Sequence, residues 1–281
     1  MPDTEIKSHA KLNLALNITG KNSSIHKIES IVAFASLHDK IFIKNIKSKS
    51  HKILFTGKFS QNITKNNTVS KLLNILEKKK LLKNKKFKIK INKQIPNKAG
   101  LGGGSMNASN ILRYFVKKKI IRISKKDLFK ISKKIGSDVI LGLNPTNSIL
   151  NEKSKIKRFS NYKKLHVLIV KPDFGCSTKD IFSKVIKFDK PEFNKPKKEM
   201  FSLNYLKKKK NSLEPIAFSK YRKLKKIKLF LENLSTPVFV RMTGSGSSLV
   251  AYFESKQRCD NAKESFNKKY KKYWCIASKT I

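Results

Sequence analysis

The chain has 281 residues, with 65 Lys plus Arg against 18 Asp plus Glu, a formal charge of +47, and 39% hydrophobic and 9% aromatic residues. Such apolar content excludes a disordered chain, and the length suffices for two medium domains that each bury a core. Asp3 and Glu5 near the start are followed by no apolar leader, and no apolar run is long enough to cross a bilayer, so a cytoplasmic protein without a membrane partner is expected.

Lysine far outnumbers arginine and recurs along the whole chain, in runs at Lys78 to Lys80, Lys85 to Lys90, Lys207 to Lys210 and Lys223 to Lys226. Sequence-reading nucleic-acid modules lean on arginine and on stacking aromatics, so this pattern reads as solvated surface and predicts no dedicated nucleic-acid function. Cys176, Cys259 and Cys275 stand far apart without CxxC spacing, which argues against a zinc site or a disulfide framework.

In chain order, Ala10 to Thr19 alternates Leu12, Leu14, Leu16 and Ile18 with small or polar residues, the period of a half-buried strand. Two further strands are predicted at Lys27 to Leu37 and Lys40 to Ile46. Thr68 to Glu77 places Val69, Leu72, Leu73 and Leu76 on one helical face. The strand FKIKI, Phe87 to Ile91, then leads through a glycine-rich loop into the helix SNILRYFV, Ser109 to Val116. A helix from Ser124 to Ile135 stops at Gly136. The polar stretch near Leu143 to Lys157 marks a domain boundary, placed between residues 148 and 149.

The second half opens with the buried-looking strand His166 to Pro172 and continues through a Lys- and Pro-rich segment, Lys187 to Lys198, that reads as a mobile surface insertion. Helices follow at Ser212 to Phe218 and Tyr221 to Asn233. A strand at Val238 to Met242, the turn TGSGSS, a strand at Leu249 to Phe253, a helix at Lys256 to Lys269 and a strand near Tyr273 to Ala277 complete an α+β pattern in two lobes.

The loop PNKAGLGGGSM, residues 96 to 106, is the most telling segment. Bare backbone can approach an anion closely, and a helix start offers unpaired N–H groups and a positive dipole end, so the loop points to nucleotide phosphates. It has neither the Lys-Ser/Thr ending of a Walker A loop nor the spacing of a dinucleotide fingerprint. Lys11, Asp138 in GSDVILG, and the turn Thr243 to Ser248 are further landmarks, each also compatible with plain surface or turn chemistry.

Taken together and in this order, AKLNLALNITGK, PNKAGLGGGSMNAS, GSDV and MTGSGSS resemble the motifs of the GHMP small-molecule kinases over nearly the whole chain. The resemblance implies an α+β, two-domain GHMP kinase architecture. Its N-terminal lobe would be ribosomal-S5-domain-2-like, with a left-handed crossover, and its C-terminal lobe ferredoxin-like, with catalysis in the cleft between them. It implies ATP-dependent phosphorylation, with Mg2+ accompanying the nucleotide rather than held in a protein cage.

Residue by residue, the resemblance implies that Pro96, Asn97, Lys98, Ala99, Gly100, Leu101, Gly102, Gly103, Gly104, Ser105 and Met106 wrap the phosphates, with Ser105 near the metal-bound oxygens and Asn67 on the adenine side. Asp138 would accept the proton of the attacking hydroxyl, and Lys11 beside it would orient that hydroxyl and offset charge on the transferred group. The implied small-molecule substrate is a cytidine diphosphate-linked methylerythritol, its cytosine hydrogen-bonded by His26 and stacked on Phe182.

The chain departs from the family pattern at Ser24 and Ile25, where an aliphatic side chain replaces a second stacking ring, and at Met106 and Ile140. Two other readings fit the residues: a kinase of the same family acting on another small alcohol, and a non-catalytic basic nucleic-acid-binding protein.

Overall fold

The computed structural model describes residues 5–23, 25–160 and 163–281. Among the described residues, those up to 10, at 37–96 and at 102–145 make a first compact unit, and those at 11–36, at 97–101 and from 146 onward make a second. Two long strands, β1 (Glu5–Asn22) and β2 (Ile25–Ile46), contribute to both. Where the pattern predicts two strands, β2 is continuous. The polar His38-Asp39-Lys40 looks like a break, but Asp39 points inward and is fully buried.

In the first unit, Lys40–Ile46 of β2 pairs antiparallel with β4 (Lys86–Asn92), and β3 (Lys52–Thr56) pairs parallel with β4. β3 escaped the sequence reading. The parallel pair is joined through α1 (Thr68–Lys78), and α2 (Gly103–Lys117), α3 (Lys125–Ile135) and α4 (Val139–Gly142) follow. One sheet face supplies Ile41, Ile43, Phe87, Ile89 and Ile91. These pack with Val69, Leu72, Leu73 and Leu76 of α1, Ile111, Leu112 and Phe115 of α2, and Ile131 and Ile135 of α3 in a single apolar core. Each element meets this core at its own period, two for the strands and 3.6 for the helices. Ser124 caps α3 through the Asp127 N–H at 3.0 Å.

In the second unit, β5 (Ser148–Leu150) pairs antiparallel with Ser30–Val32 of β2 and with β6 (Ile156–Arg158). The main sheet is fully antiparallel: β7 (His166–Lys171), β8 (Phe239–Met242), β9 (Leu249–Phe253) and β10 (Trp274–Lys279) lie in the order β10-β7-β9-β8. Between β7 and β8 come α5 (Thr178–Ser183), a 3-10 turn at Lys198–Phe201, α6 (Leu203–Lys207), α7 (Glu214–Lys220) and α8 (Arg222–Glu232); α9 (Lys256–Lys269) precedes β10. This is the split β-α-β arrangement of the ferredoxin-like class. Val167 to Val170 are wholly buried, as a strand covered on both faces requires.

The segment 187–198 is not the loose insertion its composition suggests. Asp189 exchanges backbone and side-chain bonds with Ile18, at 2.7 and 3.1 Å, and the buried carboxylate of Glu29 accepts the N–H groups of Glu192 and Phe193 at 2.8 and 2.9 Å. Phe193 is fully buried. A buried carboxylate needs donors, and this segment's backbone supplies them.

Candidate active site

The glycine loop is shared between the units, and each part is fixed by its own. In the first unit, α2 starts at Gly102, whose φ of +67° is left-handed and whose N-cap position carries no side-chain hydrogen bond. The N–H of Met106 makes the first helical bond, to the Gly102 C=O at 2.9 Å. The N–H groups of Gly103, Gly104 and Ser105 therefore precede the helical ladder and lie at its positive end. Thr68 Oγ1, at the start of α1, donates to the Gly104 C=O at 2.7 Å and holds the loop in place. Met106 itself is buried, with its sulfur toward Gly142.

Asn67 is the N-cap of α1. Its Oδ1 accepts the Val69 and Ser70 N–H groups at 3.0 and 3.1 Å, while its Nδ2 donates to the Thr64 C=O at 2.9 Å. The side-chain amide is thus engaged in shaping the turn beside the glycine loop. Asp138 occupies the N-cap position of α4 without capping it through its side chain, and it is half-buried. Its neighbour Gly136 approaches Ser105: a Cβ on Gly136 would lie 3.7 Å from Ser105 Oγ. The GSDV segment and the start of α2 are therefore close within one unit.

A second group supports this part of the loop from below. Asp39 Oδ1 accepts the N–H groups of Gln94 and Ile95, both at 2.8 Å, and Oδ2 takes Asn107 Nδ2 at 2.9 Å and the ammonium of Lys93. Asp39 and Lys93 are both buried, and the carboxylate's several partners make that burial tolerable. Lys93 Nζ lies 3.2 Å from the place a Cβ on Gly103 would occupy. Sequence reasoning missed this cluster; the readable signal was an Asp at an inward position of an otherwise apolar alternation.

In the second unit, residues 97–101 are locked against the turn Thr243–Ser248. Lys11 N–H donates to the Leu101 C=O at 2.9 Å, Ser248 N–H to the Ala99 C=O at 3.2 Å, and Thr243 Oγ1 to the Gly100 C=O at 3.2 Å. Gly100 has φ +72°, and a Cβ there would sit 2.0 Å from the Thr243 carbonyl oxygen. Pro96 is buried ahead of this stretch, and Asn97 and Lys98 are exposed, Lys98 with φ +51°. The two glycine-rich motifs, far apart in sequence, thus form one interlocked backbone structure.

Asn13 ties the same turn to β1. Its Oδ1 accepts Gly244 N–H at 3.0 Å and Lys11 Nζ at 2.7 Å, and its N–H donates to Thr243 Oγ1 at 3.1 Å. Lys11 is 3% exposed, so it is not one of the many solvated lysines. Asn13 was not singled out from sequence, although it follows Lys11 at the two-residue spacing that puts both on one strand face.

His26 and Phe182 also meet in this unit, with ring centroids 5.2 Å apart and planes at 53°. Burial first, and the positive Lys21 second, hold the His26 imidazole below its ordinary pKa, favouring the neutral ring. Its Nε2 is shielded from solvent and has no hydrogen-bond partner among the described residues. A buried ring nitrogen left unpaired beside an aromatic face suits a planar polar ligand. Ile25 is 74% exposed, and Ser24 lies outside the described residues.

The buried thiols of Cys176 and Cys259 are pushed up to about 11, chiefly by desolvation, and no disulfide joins the three cysteines. They are packing residues rather than nucleophiles.

The family model of the GHMP kinases N terminal domain matches residues 67–146, and that of the GHMP kinases C terminal domain matches residues 187–272. Over 281 residues, all of both chains, this protein is 56% identical to the 4-diphosphocytidyl-2-C-methyl-D-erythritol kinase of Pelagibacter ubique. It is 33% identical over 254 residues to the enzyme of the same name from Petrotoga mobilis, covering 87% of this chain and 96% of that one. Among solved structures, a 4-(cytidine 5'-diphospho)-2C-methyl-D-erythritol kinase superposes with a TM-score of 0.79 at 21% identity, covering 99% of this chain and all of that one. A homoserine kinase from Cytophaga hutchinsonii gives 0.72 at 14% identity, covering 100% and 96%, a likeness of fold. With both domain models matched in order and a relative aligned from end to end, this chain belongs to the GHMP kinase family.

Proposed function

We infer that the chain is an ATP-dependent kinase that phosphorylates the 2-hydroxyl of 4-diphosphocytidyl-2-C-methyl-D-erythritol in the non-mevalonate (MEP) route to isoprenoid precursors. The observation that carries this reading is the 56% identity, without truncation on either side, to an enzyme of that name. The residues fit the chemistry. Phosphoryl transfer asks a protein mainly for positioning and charge neutralisation, and the uncapped start of α2 offers three N–H donors at a dipole's positive end.

In this proposal residues 96–106 cradle the phosphates, with the N–H groups of Gly103, Gly104 and Ser105 as donors and Pro96 and Met106 as buried anchors at either end. Asn67 shapes the adenine side. Asp138 accepts the hydroxyl proton, and Lys11, oriented by Asn13, supplies a fixed positive charge. His26 and Phe182 hold the cytosine. Mg2+ would arrive with the nucleotide and neutralise phosphate charge, with Ser105 near its oxygens. Among the described residues there is no group of three or more His, Cys, Asp or Glu that could hold a metal by itself. The proposed domain boundary at 148/149 falls between the two family matches. No described helix is long and apolar enough to cross a membrane. We place the reaction in the cytoplasm, with neither a membrane nor a nucleic-acid partner.

Purified protein should phosphorylate the cytidine diphosphate substrate and leave mevalonate and homoserine largely untouched. Preference for either of the latter would overturn the assignment in favour of another alcohol. Because His26 is held neutral, its free ring nitrogen remains an acceptor at neutral pH. The KM for the cytidine substrate should therefore stay flat through neutral pH and the ordinary imidazole range, and rise only at more acid pH, where the ring gains a second proton. In His26→Asn that rise should vanish; a rise of the same size would take His26 out of base recognition.

A further inference from the structure

The lysines look evenly scattered along the sequence, but strand register concentrates several of them on the open face of the first unit's sheet. Lys52 of β3 lies opposite Lys88 of β4, and Lys88 lies opposite Lys44 of β2, so three exposed ammonium groups form one row across three adjacent strands. Strands sit about 4.8 Å apart, and like charges directly opposite one another repel. None of these three lysines, nor Lys90, makes an ion pair with a described residue, whereas Lys40 on the same face pairs with Glu5 at 3.3 Å and Lys86 with Glu77.

The next row, about 6.8 Å along the strands, reads Leu54, Lys90, Phe42. Leu54 and Lys90 are exposed and Phe42 is half-buried, so the cation stands between two apolar surfaces, one of them a ring. The opposite sheet face, with Ile41, Ile43, Ile89 and Ile91, is spent on the core. A row of uncompensated positive charge, with a ring in the next row, matches what an extended nucleic-acid strand presents: phosphates in sequence and bases that stack. A lipid surface would instead call for several apolar side chains that project to insert, and of the two apolar residues in this row Leu54 projects while the ring is half sunk in the sheet.

We propose that the face formed by Lys44, Lys52, Lys88, Lys90, Phe42 and Leu54 binds a single strand of nucleic acid. The lysines neutralise successive phosphates and Phe42 receives a base. The surface is independent of the phosphoryl-transfer residues, none of which lies on it.

The test uses the full chain and a fluorescent twelve-nucleotide oligouridylate, with anisotropy measured across a series of salt concentrations. Lys44→Gln/Lys52→Gln/Lys88→Gln is compared with Lys223→Gln/Lys225→Gln/Lys226→Gln on α8, which removes the same charge from another exposed face. The salt slope is about −0.7 per phosphate neutralised on a single strand, so the sheet variant should lose about two units of slope and bind at least tenfold more weakly. The α8 variant should retain both. Phe42→Ala should weaken binding about tenfold with the slope unchanged. Kinase turnover should match the parent in the lysine variants, and the melting temperature should not fall, since the sheet variant relieves repulsion between opposed lysines.

Equal losses in the two triple variants would overturn the proposal, because the total charge rather than this face would then be responsible. Tighter binding to a duplex of equal length would overturn the single-strand reading. Stronger binding to vesicles of three parts phosphatidylcholine to one part phosphatidylserine, lost in the sheet variant, would transfer the surface to membranes.

Discussion

Asp138→Asn is expected to lower kcat by about 100-fold or more while ATP affinity changes little. The amide keeps the shape of the carboxylate but can neither take the hydroxyl proton nor supply its negative charge. Asp138 makes no side-chain cap to α4, so the change does not uncap the helix it precedes. Steady-state kinetics with the cytidine substrate, alongside calorimetric titration of ATP, separates the two quantities. An unchanged kcat would remove Asp138 from the mechanism, and a lost ATP affinity with normal kcat would move it to the nucleotide.

Gly100→Ala is the second change with a large expected effect, and it acts through the backbone. The new methyl would lie 2.0 Å from the Thr243 carbonyl oxygen at a φ of +72°, so the loop must leave the turn that holds it. The left-handed conformation alone costs an alanine about 1 to 2 kcal/mol, and the clash with fixed backbone adds to it. Separation of residues 97–101 from the Thr243 turn should cut kcat/KM by more than 100-fold and lower the melting temperature by several degrees. Gly20→Ala is the control. Its methyl would meet only Lys27 Cδ, at 3.6 Å, and it should behave as the parent. If Gly100→Ala were equally silent, the interlock of the two glycine motifs would have no functional weight.

Local chemistry made much of this molecule readable from its residues. The α9 helix falls at Lys256–Lys269 and β9 at Leu249–Phe253, where their periodicity and flanking turn residues place them. The glycine loop was recognisable because no side chain can substitute for its absence of side chains. What escaped was non-local. The single strand β2 reads as two because Asp39 interrupts an apolar run, and only the inward donors Gln94, Ile95, Lys93 and Asn107 explain a carboxylate there. The segment 187–198 reads as mobile because its Lys and Pro content says nothing of Glu29, a distant residue whose buried charge claims its N–H groups. Asn67 reads as a ligand contact, while its capping bonds appear only once the start of α1 is seen. The family resemblance supplied the roles of Lys11, Asp138 and His26; neither spacing nor composition could have done so.

The path of the chain through its two units bears on how the protein is made. Residues 11–36 leave the ribosome before residues 146–281, with which they belong, and Ile281 N–H bonds the Phe34 C=O at 3.0 Å. Part of β2 must therefore wait for residues 280 and 281 before its edge is satisfied. During that interval an unpaired strand edge is open to wrong partners, and the high positive charge, by mutual repulsion between nascent copies, is suited to keep them apart.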